Sequence, residues 1–188
     1  MIDNQPDKHN TNEDQAPSRA NTGSKKAQNS AARLLAVQAV YQILSNKNTQ
    51  SPEDAVKEFL NHRAGGIDID GDELVTPNCE LFKDIVIGTF THFEQLNEMV
   101  NANRAAGKQK QEMAVSLNGQ SPEPATERAK EPLLYALFLT GTFELMVHQS
   151  IDAPIIINDY LHAARAFYDD AEVKLVNAIL DGVAKTTR

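Results

Sequence analysis

The stretch SAARLLAVQAVYQIL, residues 30 to 44, constrains the fold more than any other part of the chain. At 100° per residue, Leu34, Val37, Val40, Tyr41 and Leu44 form one apolar arc, and Leu35, Ala36, Ala39 and Ile43 carry it around the back. Only Gln38, Gln42 and Ser45 are left as a narrow polar stripe. A helix apolar on most of its circumference has to be surrounded by other elements, so this one is expected to run through the middle of a helical domain, with Ser30 as its N-cap.

The remaining chain reads as further helices. Pro52 opens a second, which carries Ala55, Val56, Phe59 and Leu60 and stops at Gly65 and Gly66. A long third helix is expected over residues 78 to 104, with Leu81, Phe82, Ile85, Val86, Phe90, Phe93, Leu96 and Val100 at helical spacing and Gly107 as its end. The run LLYALFLTGTFELMVH after Pro132 is almost wholly apolar and forms a second buried helix, in which Gly141 permits close approach of a neighbour. Pro154 starts the next, with Ile156, Ile157, Tyr160, Leu161, Ala164 and Phe167 on one side and Asn158, Asp159, His162 and Arg165 on the other. The last opens at Asp169 and Asp170, where carboxylates suit the positive end of the helix dipole, and buries Val173, Val176, Ile179, Leu180 and Val183. No alternating strand pattern of useful length competes, so the fold is expected to be all-α.

Residues 1 to 29 are polar and lack large apolar side chains, which marks them as a tail that cannot offset the entropy of ordering; residues 30 to 188 form the helical domain. Two stretches, about 65 to 77 and 107 to 130, read as flexible insertions. In the first, Asp68, Asp70 and Asp72 have the opening spacing of a calcium loop, but Glu73 stands where the turn needs glycine and Cys79 where it needs a bidentate glutamate.

Charge is unevenly placed. Between residues 18 and 52 there is no Asp or Glu, and Arg19, Lys25, Lys26, Arg33 and Lys47 give that window +5, in a protein of net charge -8. A positive entrance to the central helix of an acidic protein points to directed attraction of a polyanion such as nucleic acid. The single cysteine, Cys79, has no intramolecular disulfide partner, and neither an export-type apolar segment near Met1 nor a run of about 18 apolar residues is present; a reducing cytoplasm and no membrane contact are expected.

No glycine-rich phosphate loop, HExxH, GxSxG or CxxC occurs, and His62, His92, His148 and His162 lack partners at metal-ligand spacing. Asp159 and His162, at i and i+3, are the closest approach to an acid and base pair, and such pairs are ordinarily surface electrostatics. Neither catalysis nor a cofactor is expected.

Taken together, AVQAVYQIL at 36 to 44, FELMV at 143 to 147, APIIINDYLHAARAF at 153 to 167 and KLVNAILDGVA at 174 to 184 resemble the NusB family of bacterial transcription antitermination factors, in order and spacing, over residues 30 to 185. The resemblance implies two three-helix sub-bundles around a central first helix. It implies an RNA-binding adaptor without catalytic activity, which pairs with the small-subunit ribosomal protein NusE, binds single-stranded boxA RNA with it and joins the RNA polymerase elongation complex on ribosomal RNA operons. By the same resemblance, Arg33 matches the last basic residue of the family's arginine-rich segment, and Phe167 and Lys174 fall at positions used near RNA. With Lys25 and Lys26 upstream, these give a candidate RNA set: lysines and arginine for phosphate, Phe167 for stacking on an unpaired base, although Phe167 also continues the apolar side of its helix. Tyr41 matches a position at the NusE surface, and Gln38 and Gln42 are the freer polar groups beside it.

The chain departs from that family where dense arginines would precede the first helix, since Asn29, Ser30, Ala31 and Ala32 stand there. Weaker RNA contact by the protein alone is expected, with a slope of log affinity against log salt of about -2 to -3 for three or four phosphate contacts. The alternative is a helical scaffold that binds NusE and has lost RNA binding. A third reading, the helical domain found ahead of ribosomal RNA cytosine methyltransferases, finds no nucleotide-binding α/β domain in this sequence.

Overall fold

The computed structural model describes residues 23 to 46, 49 to 62, 75 to 106 and 131 to 188, with residues 107 to 118 described as helical backbone. The expected tail before residue 23, most of the acidic loop with Asp68, Asp70 and Asp72, and the stretch 119 to 130 lie outside them. The described residues form seven helices and no strand: α1 Lys25–Ser45, α2 Pro52–His62, α3 Cys79–Thr91, α4 Phe93–Asn118, α5 Pro132–Val147, α6 Ala153–Arg165 and α7 Asp170–Thr187. Among them, no helix is long and apolar enough to cross a membrane.

Two helices form the axis. α1 packs against α2, α3, α5 and α6, and α5 packs against α1, α3, α4, α6 and α7. The first three helices make one sub-bundle and α5, α6 and α7 the other, with α4 laid against α5 and α7. The burial matches the apolar patterns: Leu35, Ala36, Val37, Ala39, Val40 and Ile43 of α1 are buried, as is α5 from Ala136 to Leu145 without interruption. Tight approach is built into the axis. A Cβ at Gly141 would lie 2.8 Å from a Leu180 methyl, and one at Gly88 would lie 2.1 Å from the tip of the Phe143 ring. Gly141 therefore does permit close packing, of α5 on α7.

Three boundaries differ from expectation. Helix α1 starts five residues earlier than Ser30: Ser24 is the N-cap, its hydroxyl accepting from the Ala27 amide at 3.2 Å, and Gly23 before it adopts φ of 60°. Lysine, alanine and glutamine are good helix formers, so residues 25 to 29 extend the helix once a cap is available. The expected helix over 78 to 104 is two helices, because His92 takes a non-helical conformation with φ -104° and ψ 16°. That break lets α3 bury Phe82, Ile85 and Val86 against α1 and α2 while α4 turns Leu96 and Val100 toward α5 and α7. Helix α4 also runs through Gly107 to Asn118; a glycine inside a helix costs only about 1 kcal/mol and does not by itself end one.

Candidate nucleic-acid interface

The first turns of α1 and the face of α6 enclose a cleft of about 840 Å³. Lys25, Lys26 and Asn29 form one wall, Ile155, Asn158 and His162 the other, and Ser30, Arg33 and Asp159 reach its floor. Early onset of α1 is what makes this wall: in a helix, residues 25, 26, 29, 30 and 33 share one side. The two lysines are exposed, and Ile155 is 48% exposed on the facing helix. Three of the four cations expected near RNA therefore line one cleft. Lys174, exposed near the start of α7, lines neither this cleft nor the groove described below.

Arg33 departs from the phosphate role expected of it. Its side chain is 3% exposed and its guanidinium is spent inside the protein: Nε donates to Glu144 Oε2 at 2.6 Å, Nη2 to Glu144 Oε1 at 2.9 Å, and Nη1 to Asp159 Oδ2 at 2.6 Å. Arg33 is an internal strut joining α1, α5 and α6. Glu144, fully buried in α5, also accepts from the Tyr160 hydroxyl at 3.0 Å. Burial pushes its carboxyl up, but hydrogen bonds from His148, Arg33 and Tyr160 outweigh this and hold it below the usual carboxylate range. Burial opposes the Arg33 charge as well, and the Glu144 and Asp159 contacts raise its pKa further above an already high value.

The network reaches the opposite face through His148. Its Nδ1 lies 3.1 Å from Glu144 Oε1 and its Nε2 2.6 Å from Asp84 Oδ2 on α3. A neutral imidazole can donate from only one nitrogen, whereas two carboxylates both need a donor, so the geometry suits the imidazolium. The hydrogen bond to Glu144 raises the His148 pKa, burial opposes it, and Asp84 adds to the rise. Arg188 closes the same end of α5, donating to the carbonyls of Leu145, His148 and Ile151. Asp159 pairs with Ser30 and Arg33, and no contact joins it to His162 among the described residues. Nor does any group of three described His, Cys, Asp or Glu side chains suit a metal ion.

A second groove, of about 360 Å³, is lined by Gln38, Tyr41, Gln42, Ser45, Asn46, Leu133 and Phe167. Two aromatics that α-helical patterning would place in a core are exposed here: Tyr41 at 41% and Phe167 at 46%. Phe167 leaves the apolar side of α6 because that helix ends at Arg165; the side chain belongs to the turn before α7. It joins the candidate partner residues and not the lysines. Gln42 is less free than expected, since its amide donates to Gln50 at 3.0 Å and to Glu58 on α2 at 3.2 and 3.3 Å. Sequence reading missed Glu144, Tyr160 and His148 as a unit. A glutamate inside an otherwise apolar helix was the available signal, because a fully buried carboxylate requires a cation.

A family model described as the NusB family matches residues 30–118 and 123–185. Relatives named transcription antitermination protein NusB include one from Sinorhizobium medicae, 30% identical over 161 residues that cover 86% of this chain and 88% of the relative. Another, from Sinorhizobium fredii, is 31% identical over 179 residues, 95% of this chain and 96% of the relative. Among solved structures, NusB of T. maritima superposes with a TM-score of 0.56 at 18% identity, covering 86% of this chain and 92% of that one, which speaks for the fold. By sequence and by architecture, the chain belongs to the NusB family of transcription antitermination proteins.

Proposed function

We propose that this protein is an antitermination factor that binds single-stranded boxA RNA together with NusE and joins the RNA polymerase elongation complex during transcription of ribosomal RNA operons. The observation that carries this reading is the cleft with Lys25 and Lys26 at its lip, a cationic entrance on a chain of net charge -8. Exposed lysines at the start of a helix attract phosphate both by their own charge and by the positive end of the helix dipole. The groove with Gln38, Tyr41, Gln42 and Phe167 supports a separate docking surface for NusE, since exposed aromatics beside polar side chains are characteristic of protein interfaces. Phe167, exposed in the same groove, offers a ring face for stacking an unpaired base.

With Arg33 internal, the phosphate contacts reduce to Lys25, Lys26 and Lys174, and the slope of log affinity against log salt is about -2 by the single-strand coefficient. Titration of labelled boxA RNA at several salt concentrations, with and without NusE, tests this. The expected result is that slope and tighter binding with NusE; equal affinity for scrambled RNA would refute the reading. The burial of Arg33 also favours one alternative, a scaffold that binds NusE alone. Retention of NusE with no RNA affinity in either condition would establish that version.

A further inference from the structure

The cleft that offers two lysines to a phosphate chain has a carboxylate on its floor. Asp159 lines it with a side chain 11% exposed, and both of its contacts fall on one oxygen: Ser30 Oγ donates to Oδ2 at 2.9 Å and Arg33 Nη1 to Oδ2 at 2.6 Å. Asp159 is not needed to neutralise Arg33, which already forms a two-point pair with fully buried Glu144. Oδ1 accepts no hydrogen bond among the described residues, and the Asp159 side chain keeps part of its surface exposed where it lines the cleft. A carboxylate has about four lone-pair sites, and those on Oδ1 remain for a ligand.

Such a group repels phosphate and accepts from donors. The donors of an unpaired nucleotide are the 2′-hydroxyl, ring N–H groups and the exocyclic amino groups of cytosine, adenine and guanine. Opposite the lysines, Ile155 offers an apolar surface to a ring, with Asn158 beside it. We propose that Asp159 is a specificity-determining residue: held on the cleft floor by Arg33 and Ser30, it accepts a hydrogen bond from the exocyclic amino group of a base whose backbone rests on Lys25 and Lys26. Arg33, itself anchored on Glu144, fixes the carboxylate before RNA arrives, so its orientation costs little on binding. This assignment rests on the RNA-binding reading above.

Cytosine and uracil separate the two ideas, because the 4-amino donor of one is a 4-keto acceptor in the other. Oligocytidine and oligouridine of equal length, titrated by fluorescence anisotropy at fixed salt against the full chain, are expected to differ by about tenfold in favour of cytidine. Asp159→Asn, which also presents an amide donor, should reduce that ratio to about twofold or less while leaving the salt slope unchanged. Equal binding of the two oligomers by the unmodified protein overturns the role of Asp159 and leaves the RNA reading standing. Absence of binding to either oligomer, and to boxA RNA with NusE present, removes both. A tenfold preference that persists in Asp159→Asn at an unchanged melting temperature also overturns it, because another group then does the selecting.

Discussion

Replacement of Arg33 by methionine separates an internal strut from a phosphate contact. The side chain is 3% exposed and makes three charge-assisted hydrogen bonds, two of them to a glutamate that is fully buried. Methionine keeps much of the volume and leaves Glu144 with His148 and Tyr160 alone. Removing one member of a buried ion pair costs about 3 to 5 kcal/mol, because the remaining charge has lost its compensation. For a chain of this size, each kcal/mol shifts the melting temperature by about 2 to 4 °C, so Arg33→Met is expected to melt about 6 to 20 °C lower. Urea denaturation followed by circular dichroism measures the same loss directly. The double variant Arg33→Met/Glu144→Leu should recover at least half of it, since the stranded carboxylate is gone; the Tyr160 hydroxyl and His148 Nδ1 keep the recovery incomplete. An exposed phosphate contact predicts instead a stability change within about 0.5 kcal/mol and a salt slope shallower by about 0.7. A stability loss under 1 kcal/mol, or a double variant no better than the single one, refutes the strut.

Three further outcomes follow from the same geometry. The His148 pKa is raised in the folded state, so its contribution to stability is full below about 6.5, the unfolded value, and is lost as pH rises through the folded one. His148→Gln should therefore flatten the fall in urea midpoint on the alkaline side of 6.5, and identical pH profiles would show that the two carboxylate contacts are not linked to protonation. Gly88→Ala puts a Cβ against a buried ring, and about 1 to 3 kcal/mol of overpacking should outweigh the gain in helix propensity; a more stable variant would contradict the packing of α3 on α5. Phe167→Ala, at an exposed site, should leave the urea midpoint within about 0.5 kcal/mol of the unmodified protein and weaken NusE capture, whereas a large stability loss would return Phe167 to the core.

Much of this architecture is written in hydrophobic periodicity, which is strongest where a helix is enclosed. The patterns at residues 34 to 44 and 133 to 145 identify α1 and α5 as the axis because burial on nearly every side leaves few polar positions. The division at His92 is not legible, since apolar spacing continues through it and neither glycine nor proline marks it. Gly107 misleads in the opposite direction, as a helix tolerates what a breaker rule would forbid. The candidate site is readable only in part. Lys25 and Lys26 fall in the expected tail and join the face of Arg33 only because Ser24 caps α1 early, and which cation stays free depends on Glu144 and Asp159, 111 and 126 residues away from Arg33 in the chain. Phe167 turns outward for a similarly local reason, the end of α6 two residues before it.

The most direct test of a cationic cleft acting beside a separate partner groove is one titration: labelled boxA RNA with the chain and NusE present, for the unmodified protein and for Lys25→Glu/Lys26→Glu. Acidic residues in the first turn of α1 suit its dipole, so the variant should fold and still capture NusE. The expected result is an RNA affinity lower by on the order of tenfold or more in the variant, with NusE capture unchanged. Equal RNA affinity of the two proteins would contradict the assignment of this cleft.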